Sequence, residues 1–165
     1  MSRWRPAAPQ SSPYITADGA RRLENELKAV WERRAEVTQH LAAAAAEGDR
    51  SENAEYIYRK QELREIDRRI RYLQKRLPAL TVVERFPANR SQVFFGAWVT
   101  LEDENGGEST YRIVGADEID PQRGWISVDS PLARGLLKKA IDEAVTIATP
   151  AGAATGFIVD VRYDV

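Results

Sequence analysis

The chain has 165 residues, enough for one ordinary domain or two small ones, and its 43% hydrophobic content excludes a chain that is disordered throughout. Cysteine is absent, which excludes disulfides, thiol nucleophiles and thiolate metal sites. The net charge of −1 is unevenly spread: residues 1–89 hold 17 Lys or Arg against 13 Asp or Glu, and residues 90–165 hold 7 against 12. The sequence therefore predicts two differently charged parts.

No stretch of the sequence approaches the roughly 20 consecutive apolar residues that span a bilayer. The first dozen residues carry charge and proline but lack the hydrophobic run of a signal peptide. Together with the missing cysteines, these features predict a cytoplasmic protein without a membrane partner.

Residues from Thr16 to about Glu47 predict one long helix, with Thr16 as its N-cap and good helix formers after it. The apolar positions follow alternating steps of four and three with one charged interruption, which is the seam of a coiled coil. These positions are Leu23, Leu27, Val30, Arg34, Val37, Leu41 and Ala44. A partner helix is needed to cover this seam.

A second helix repeats the alternation, again with one charged interruption, and Pro78 ends it. Its seam positions are Tyr56, Arg59, Leu63, Ile66, Ile70, Leu73 and Leu77. Only EGDRSEN, residues 47–53, separates the two patterns, and so short a connection makes the helices antiparallel. The sequence therefore predicts a helical hairpin with an arm of roughly 45 Å, at about 1.5 Å per residue.

After Pro78 the pattern changes to short segments rich in β-branched and aromatic residues, which predicts a sheet. Ser130 and Pro131 suit the N-cap and first position of a short helix, PLARGLLKKA. The predicted strands lie in VFFGAWVTLED and STYRIVGADEI around the turn ENGGE, in GWISV, and in AVTIAT and GFIVDVRYD around PAGAA. The aromatic side chains Phe94, Phe95, Trp98 and Trp125 are expected in the core.

The fold class is therefore α+β with two domains: an N-terminal antiparallel coiled-coil hairpin and a compact, mostly antiparallel sheet with one short helix. The predicted boundaries are a flexible tail at residues 1–14, the hairpin at 15–78, a linker at 79–92 and the sheet domain at 93–165.

The predicted hairpin tip carries two carboxylates, Asp49 and Glu52, with Arg50 and Ser51 between them. One interpretation is a capping box, in which Asp49 caps the second helix and Glu52 reaches back to the cap. The other is functional, because carboxylates at the end of a long arm suit a cation met there. Magnesium is commonly held by one or two carboxylates together with phosphate oxygens, so this pair would complete a site formed elsewhere. In two-metal phosphoryl chemistry the second ion, about 4 Å from the first, orients the attacking water.

The second predicted helix has a basic face, formed by cations at steps of three or four: Lys60, Arg64, Arg68, Arg71 and Lys75. One interpretation is a solvated surface balanced by Glu55, Glu62, Glu65 and Asp67. The other is a surface for RNA phosphates, since residues 54–77 carry 8 basic and 4 acidic side chains. No glycine-rich phosphate loop or dinucleotide motif is present, so a stand-alone enzyme is not expected.

Several segments in order are distinctive: GDRSENAEY, RKQELREIDRRIRYL, VFFGAWV, YRIVGADEI, SVDSPLARGLLKK and TPAG. Together they resemble the Gre family of transcript-cleavage factors, and its GreB type in particular, from about Tyr14 to the C-terminus. The resemblance implies that the sheet domain is FKBP-like. It also implies a transcription elongation factor that enters the secondary channel of bacterial RNA polymerase and stimulates cleavage of the backtracked 3′ RNA.

The resemblance assigns roles to individual residues. Asp49 and Glu52 would be catalytic by sharing a magnesium ion with the polymerase, and the protein alone would hold no tightly bound metal. Contacts to the channel and the extruded RNA would come from Arg50, Ser51, Asn53, Lys60, Arg64 and Arg68. Asp129, Ser130 and Pro131 would dock on the channel rim. A monomer is expected.

Two alternatives come from other functional classes. The chain would be a non-catalytic regulator that occupies the secondary channel without promoting hydrolysis, or a folding factor acting as a chaperone or a prolyl isomerase. Cleavage and isomerase assays distinguish these alternatives, because a fold does not by itself confer an activity.

Overall fold

The computed structural model describes residues 10–47 and 53–163. The chain divides into two compact units, one made of residues 1–19 and 81–165 and the other of Ala20–Leu80. The helical unit lies near the predicted limits of 15–78. The predicted tail and linker differ from this division, because residues of both belong to the unit that contains the sheet.

The helical unit is an antiparallel hairpin, as predicted. Helix α1 spans Ala17–Ala46, helix α2 spans Ala54–Arg76, and a 3₁₀ turn at Leu77–Ala79 contains Pro78. Residues 47–53 connect the two helices, as predicted from the sequence. Proline ends α2 because it lacks the N–H that would continue the helical hydrogen bonds.

The seam between α1 and α2 is built from the predicted positions, all of which are buried or half-buried. Val37, Ile66 and Ile70 form its buried cluster, and Leu27, Val30 and Leu63 pack against them. The two charged interruptions are compensated, since Arg34 Nε donates to Asp67 at 2.8 Å and Arg59 donates to Glu62 at 3.0 Å. Burial of the apolar stripe is what holds two such helices together in water.

The other unit contains a five-stranded sheet and a short helix. Its strands are β3 (Trp98–Asp103), β4 (Glu108–Val114), β5 (Trp125–Ser127), β6 (Ala144–Thr149) and β7 (Gly152–Arg162), in the order β5-β4-β3-β7-β6. All pairs are antiparallel except β4 with β5. The predicted mostly antiparallel sheet is confirmed.

Helix α3, Pro131–Leu136, covers one face of this sheet and is shorter than predicted. Ser130 caps it by accepting from Ala133 N at 3.2 Å, as predicted. The helix ends early because Leu137 leaves the helical conformation, with a ψ of 135°, and Lys138 N then donates to Val93 O at 2.8 Å. The core between α3 and the sheet consists of Val93, Ala97, Val99, Leu101, Ile113, Ala133, Leu136, Val145, Ile158, Val161 and Tyr163.

Tyr163 closes this core at the end of the sheet. Its hydroxyl accepts from Phe94 N at 2.7 Å and donates to the Gln92 carbonyl. Burial raises the pKa of Tyr163 above its ordinary value, and the hydrogen bond from Phe94 opposes that shift. The phenol is therefore neutral at physiological pH.

A two-stranded parallel sheet lies where the sequence predicts no strand: at the junction of the predicted tail and hairpin, and in the predicted linker. Strand β1 (Tyr14–Thr16) pairs with β2 (Thr81–Val83), and Thr81 N donates to Pro13 O at 2.7 Å. Ile15 is completely buried. Each of these short strands is defined by its pairing with a segment far away in the sequence, which is why the local pattern did not predict them.

Glu118 joins β1 to the rest of the sheet-containing unit and is only 4% exposed. Its carboxylate accepts from Thr16 N at 3.1 Å, from Gly115 N at 2.9 Å and from the Thr16 hydroxyl. Thr16 Oγ1 in turn accepts from Gly19 N at 3.1 Å, which confirms Thr16 as the N-cap of α1. The buried charge is tolerated because it receives three hydrogen bonds.

Two glycines make the approach of Glu118 and β1 possible. A Cβ on Gly19 would overlap the Glu118 carboxylate, and a Cβ on Gly115 would overlap the carbonyl oxygen of Tyr14.

Among the described residues, no helix combines the length and apolar character needed to cross a membrane.

Candidate functional site

The predicted catalytic residues Asp49 and Glu52, and the predicted contacts Arg50 and Ser51, lie outside the described residues. They belong to the connection at residues 47–53, and the ends of both flanking helices are described. The described part of the site consists of the end of α1 and the start of α2.

Asn53 closes the connection on the α2 side. Its Oδ1 accepts from Tyr56 N at 3.1 Å, which makes Asn53 the N-cap of α2, and its Nδ2 donates to Ala44 O at 2.9 Å. One side chain thus joins the last turn of α1 to the first turn of α2. Its predicted contact with RNA or the polymerase channel stays a prediction.

The position of this cap corrects one interpretation of the tip. A capping box formed by Asp49 and Glu52 requires α2 to start directly after Asp49, but α2 begins at Ala54 and Asn53 supplies the cap. That interpretation is wrong. The cap of α2 therefore needs neither carboxylate.

The basic face of α2 is exposed at all five predicted positions, Lys60, Arg64, Arg68, Arg71 and Lys75. Three of them, Arg64, Arg68 and Arg71, line an open groove together with Gln61 and Asp67. Lys60 Nζ lies 5.8 Å from the centre of the Tyr56 ring. The guanidinium groups in the groove are the donors best suited to phosphate oxygens.

Two of the four acidic residues that would balance this face form ion pairs with α1, although Asp67 also lines the groove. Glu62 accepts from Arg33 at 2.8 Å and Asp67 accepts from Arg34 at 2.8 Å. The pairs join the two helices, as does Arg69 with Glu26 at 2.5 Å. The interpretation of a simply balanced, solvated surface is weakened, because these carboxylates already compensate α1 cations.

Glu62 shows the electrostatic balance at this interface. Burial by itself would raise the pKa of its carboxyl, but hydrogen bonds from Arg33 and Arg59 outweigh it and the pKa lies below its ordinary value. A lowered pKa in the folded state stabilises the hairpin above the ordinary carboxyl range, and the stabilisation is lost as the pH falls through the lowered value. Glu62 and Arg33 are therefore both charged at neutral pH.

Two large hydrophobic side chains near the tip were missed by sequence reasoning. Ile57 is 55% exposed and Tyr58 is 63% exposed, both in the first turns of α2. Ile57 precedes Lys60 by three positions and Arg64 by seven, so it shares the basic face. This spacing is the signal that could have identified it.

The predicted docking residues lie at the start of α3. Ser130 is the helix cap, Pro131 is exposed at the first helical position, and Asp129 is half-buried. Both carboxylate oxygens of Asp129 accept hydrogen bonds from Ser12, one from the backbone N–H at 2.8 Å and one from the hydroxyl. Sequence reasoning missed Ser12, since nothing in the local pattern links it to a residue 117 positions away.

The aromatic residues of the sheet divide between its two faces. Phe94 packs against the core as predicted, but Trp98 and Trp125 lie on the opposite face. The Arg112 guanidinium carbon stands between them, 5.3 Å from the Trp98 ring and 4.9 Å from the Trp125 ring. The prediction of core packing is wrong for both tryptophans, because strand alternation turns them away from Val99 and Leu101.

In residues 10–47 and 53–163, no group of three or more His, Asp or Glu side chains could hold a metal ion. The predicted shared magnesium site involves only Asp49 and Glu52, outside that range. A pair of carboxylates matches the oxygen ligands that magnesium prefers but leaves most of its coordination to other groups.

Comparisons with known proteins agree across the whole chain. Residues 13–82 match the family model "Transcription elongation factor, N-terminal", and residues 88–163 match "Transcription elongation factor, GreA/GreB, C-term". A protein of Xanthomonas axonopodis pv. citri named Transcription elongation factor GreB is 59% identical over 165 residues, covering 99% of this chain and 98% of its own. A protein of the same name from Pseudomonas aeruginosa is 55% identical over 164 residues, covering 99% and 98%.

Among solved structures, that of GreA factor homolog 1 (Gfh1) of Thermus thermophilus is 25% identical, covers 90% of this chain and 97% of its own, and has a TM-score of 0.42. A score of that size carries no further weight. The two family models together span both units, and the two relatives extend over nearly all of the chain. The chain therefore belongs to the GreA/GreB family of transcription elongation factors.

Proposed function

We propose that this chain is a GreB-type elongation factor that stimulates RNA polymerase to cleave the 3′ end of a backtracked transcript. One observation carries the proposal most directly: the connection at the end of a 30-residue helix contains Asp49 and Glu52, and α2 is capped by Asn53 and not by either of them. Carboxylates beside an exposed basic face suit a phosphodiester and its metal. The 59% identity to a protein named GreB supports the same function.

The donor set at the tip fits a shared magnesium ion. When bound, magnesium supplies Lewis acidity toward a phosphoryl oxygen and lowers the pKa of water. Asp49 and Glu52 would contribute carboxylate oxygens, and the polymerase and the RNA would contribute the others. The chain would therefore act as a cofactor of the polymerase and not as a stand-alone enzyme.

The other residues of the hairpin would orient the tip and the RNA. Asn53 hydrogen-bonds to both helix ends, so it helps to hold the end of α1 next to the start of α2. Arg64 and Arg68 would hold phosphates of the extruded strand, and Lys60 would do so closer to the tip. Orientation of this kind supplies much of the rate enhancement in reactions that need several groups held in place at the same time.

The second contact with the polymerase would be the loop Asp129, Ser130 and Pro131. The Ser130 cap fixes the start of α3 and leaves Pro131 exposed beside the Asp129 carboxylate. A carboxylate next to an exposed apolar ring suits a basic side chain with an aliphatic stem. The chain would dock there, as a monomer, on the rim of the secondary channel.

The test adds the purified protein to backtracked elongation complexes in the presence of Mg²⁺ and follows the length of the labelled RNA. We expect shortened transcripts that the polymerase then extends. Binding without shortening would support a non-catalytic channel regulator and contradict the proposal. A prolyl isomerase assay with the same preparation tests the folding-factor alternative, for which we expect no activity.

Neutralising the basic face should weaken binding in a salt-dependent way. For Lys60→Gln with Arg64→Gln we expect weaker binding to backtracked complexes, with the larger loss at low salt, because contacts with phosphates release bound counterions. The measurement is a salt titration of the affinity. Lys28→Gln with Lys138→Gln is the control, since it removes the same charge at two exposed positions elsewhere. An equal salt response in the two variants would contradict the role of the basic face.

A further inference from the structure

The segment before β1 holds the Asp129 carboxylate. Ser12 donates to one carboxylate oxygen through its backbone N–H at 2.8 Å and to the other through its hydroxyl. A single residue thus binds both oxygens, and this arrangement defines the rotation of the carboxylate plane as well as its position.

Ser12 is itself anchored by the residues that follow it. The carbonyl of Pro13 accepts from Thr81 N at 2.7 Å, and Tyr14 begins the pairing of β1 with β2. Ile15, completely buried, and Thr16, bound to Glu118, extend that anchor. The donors of Ser12 are therefore presented by ordered backbone.

Asp129 is held from the other side as well. Its backbone N–H donates to Ser127 Oγ at 3.1 Å, where β5 ends, and the next residue caps α3. The backbone of the loop is fixed by its own neighbours, so the contact with Ser12 acts mainly on the side chain of Asp129. This contact joins the segment before β1 to the predicted docking loop.

We propose that Ser12 is a positioning residue for docking: it holds the Asp129 carboxylate in the orientation in which it meets a basic side chain of the polymerase. The inference rests on the proposed docking role of Asp129. A carboxylate can accept hydrogen bonds from several donors at once, so the contact with Ser12 does not by itself prevent a contact with a partner cation. A side chain ordered before binding loses less conformational entropy when the complex forms.

The opposite role for Ser12 would be competition. If Ser12 occupied the acceptor positions that the polymerase needs, its removal would tighten binding. The chemistry of serine favours positioning. Serine is neutral and leaves the charge of Asp129 intact, whereas a competitor for this carboxylate would be expected to be cationic.

The experiment measures the affinity of the full-length factor for RNA polymerase and, in parallel, cleavage of backtracked RNA over a range of factor concentrations. For Ser12→Ala we expect the dissociation constant and the half-saturating concentration to rise about threefold to tenfold. The maximal cleavage rate at saturating factor should not change. Ser12→Thr keeps the hydroxyl, so its dissociation constant and half-saturating concentration should equal those of the parent protein. Ser109→Ala removes an exposed hydroxyl elsewhere in the same unit and is the control.

A double-mutant cycle with Asp129→Ala provides the decisive comparison. We expect Ser12→Ala to add nothing to the loss caused by Asp129→Ala, because Ser12 acts through that carboxylate. Additive losses, unchanged affinity or tighter binding in Ser12→Ala would each overturn the inference. If the parent protein binds but does not stimulate cleavage, the proposed function fails while the binding data still decide the role of Ser12.

Discussion

Replacing Asp49 or Glu52 by alanine is expected to lower the rate of stimulated cleavage by roughly 100-fold or more. Each substitution removes carboxylate oxygens from a site in which a metal, a water and a phosphate must be held together. The remaining residue cannot complete the coordination, since two carboxylates are already an incomplete set. The measurement is a single-turnover cleavage assay on backtracked complexes at saturating factor.

Binding should survive these substitutions. The cap of α2 is Asn53, so both variants keep the capping hydrogen bond at the start of that helix. We therefore expect unchanged helical content by circular dichroism and nearly unchanged affinity for the polymerase. Glu47→Ala is the matched control, because it removes an exposed carboxylate from the same connection. Full cleavage by both Asp49→Ala and Glu52→Ala would remove the catalytic assignment.

Replacing Glu118 by alanine is expected to lower the free energy of unfolding of the sheet-containing unit by about 3–5 kcal/mol. The carboxylate is buried and serves three donors, two on the backbone and one on the Thr16 side chain. Alanine leaves those donors in a site from which water is largely excluded, and an unsatisfied buried donor costs about 1–3 kcal/mol. Urea unfolding followed by tryptophan fluorescence measures the loss, because Trp98 and Trp125 lie in this unit.

Glu118→Gln separates the hydrogen bonds from the charge. The amide oxygen still accepts hydrogen bonds, but the amide N–H₂ group replaces the other carboxylate oxygen and faces the donors that bind it. We therefore expect an intermediate loss in the free energy of unfolding. Glu104→Ala is the control for removal of an acidic side chain, since Glu104 is exposed in the β3–β4 turn. A loss below about 1 kcal/mol in Glu118→Ala, comparable with an ordinary surface substitution, would contradict this account.

The features that were predicted correctly have a repeated or local signal. The seam of the hairpin repeats every seven residues over both helices, and Thr16 and Ser130 are caps recognisable from the next few residues. The five strand segments of the large sheet alternate between faces or lie between turn residues. Regular elements of this kind depend mainly on residues close in sequence.

The features that were missed depend on residues far apart in sequence. Strands β1 and β2 have three residues each and form only as a pair, and the contact of Ser12 with Asp129 joins residues 117 positions apart. Trp98 and Trp125 were assigned to the core on residue type alone, whereas the register with Arg112 decides their face. Asn53 as the cap was also missed, because Asp49 is an equally suitable residue type four positions earlier.

The pairing of β1 with β2 makes the hairpin an insertion within the sheet-containing unit, since Ala20–Leu80 is flanked on both sides by parts of that unit. A polypeptide starting at residue 81 would keep all five strands of the large sheet but lose the neighbour of β2 and the segment that contacts Gly115 and Glu118. During folding, the local contacts of the hairpin are expected to form first. Once the hairpin has formed, pairing of β1 with β2 no longer has to close a flexible loop of more than sixty residues. The entropic cost of this pairing is therefore lower.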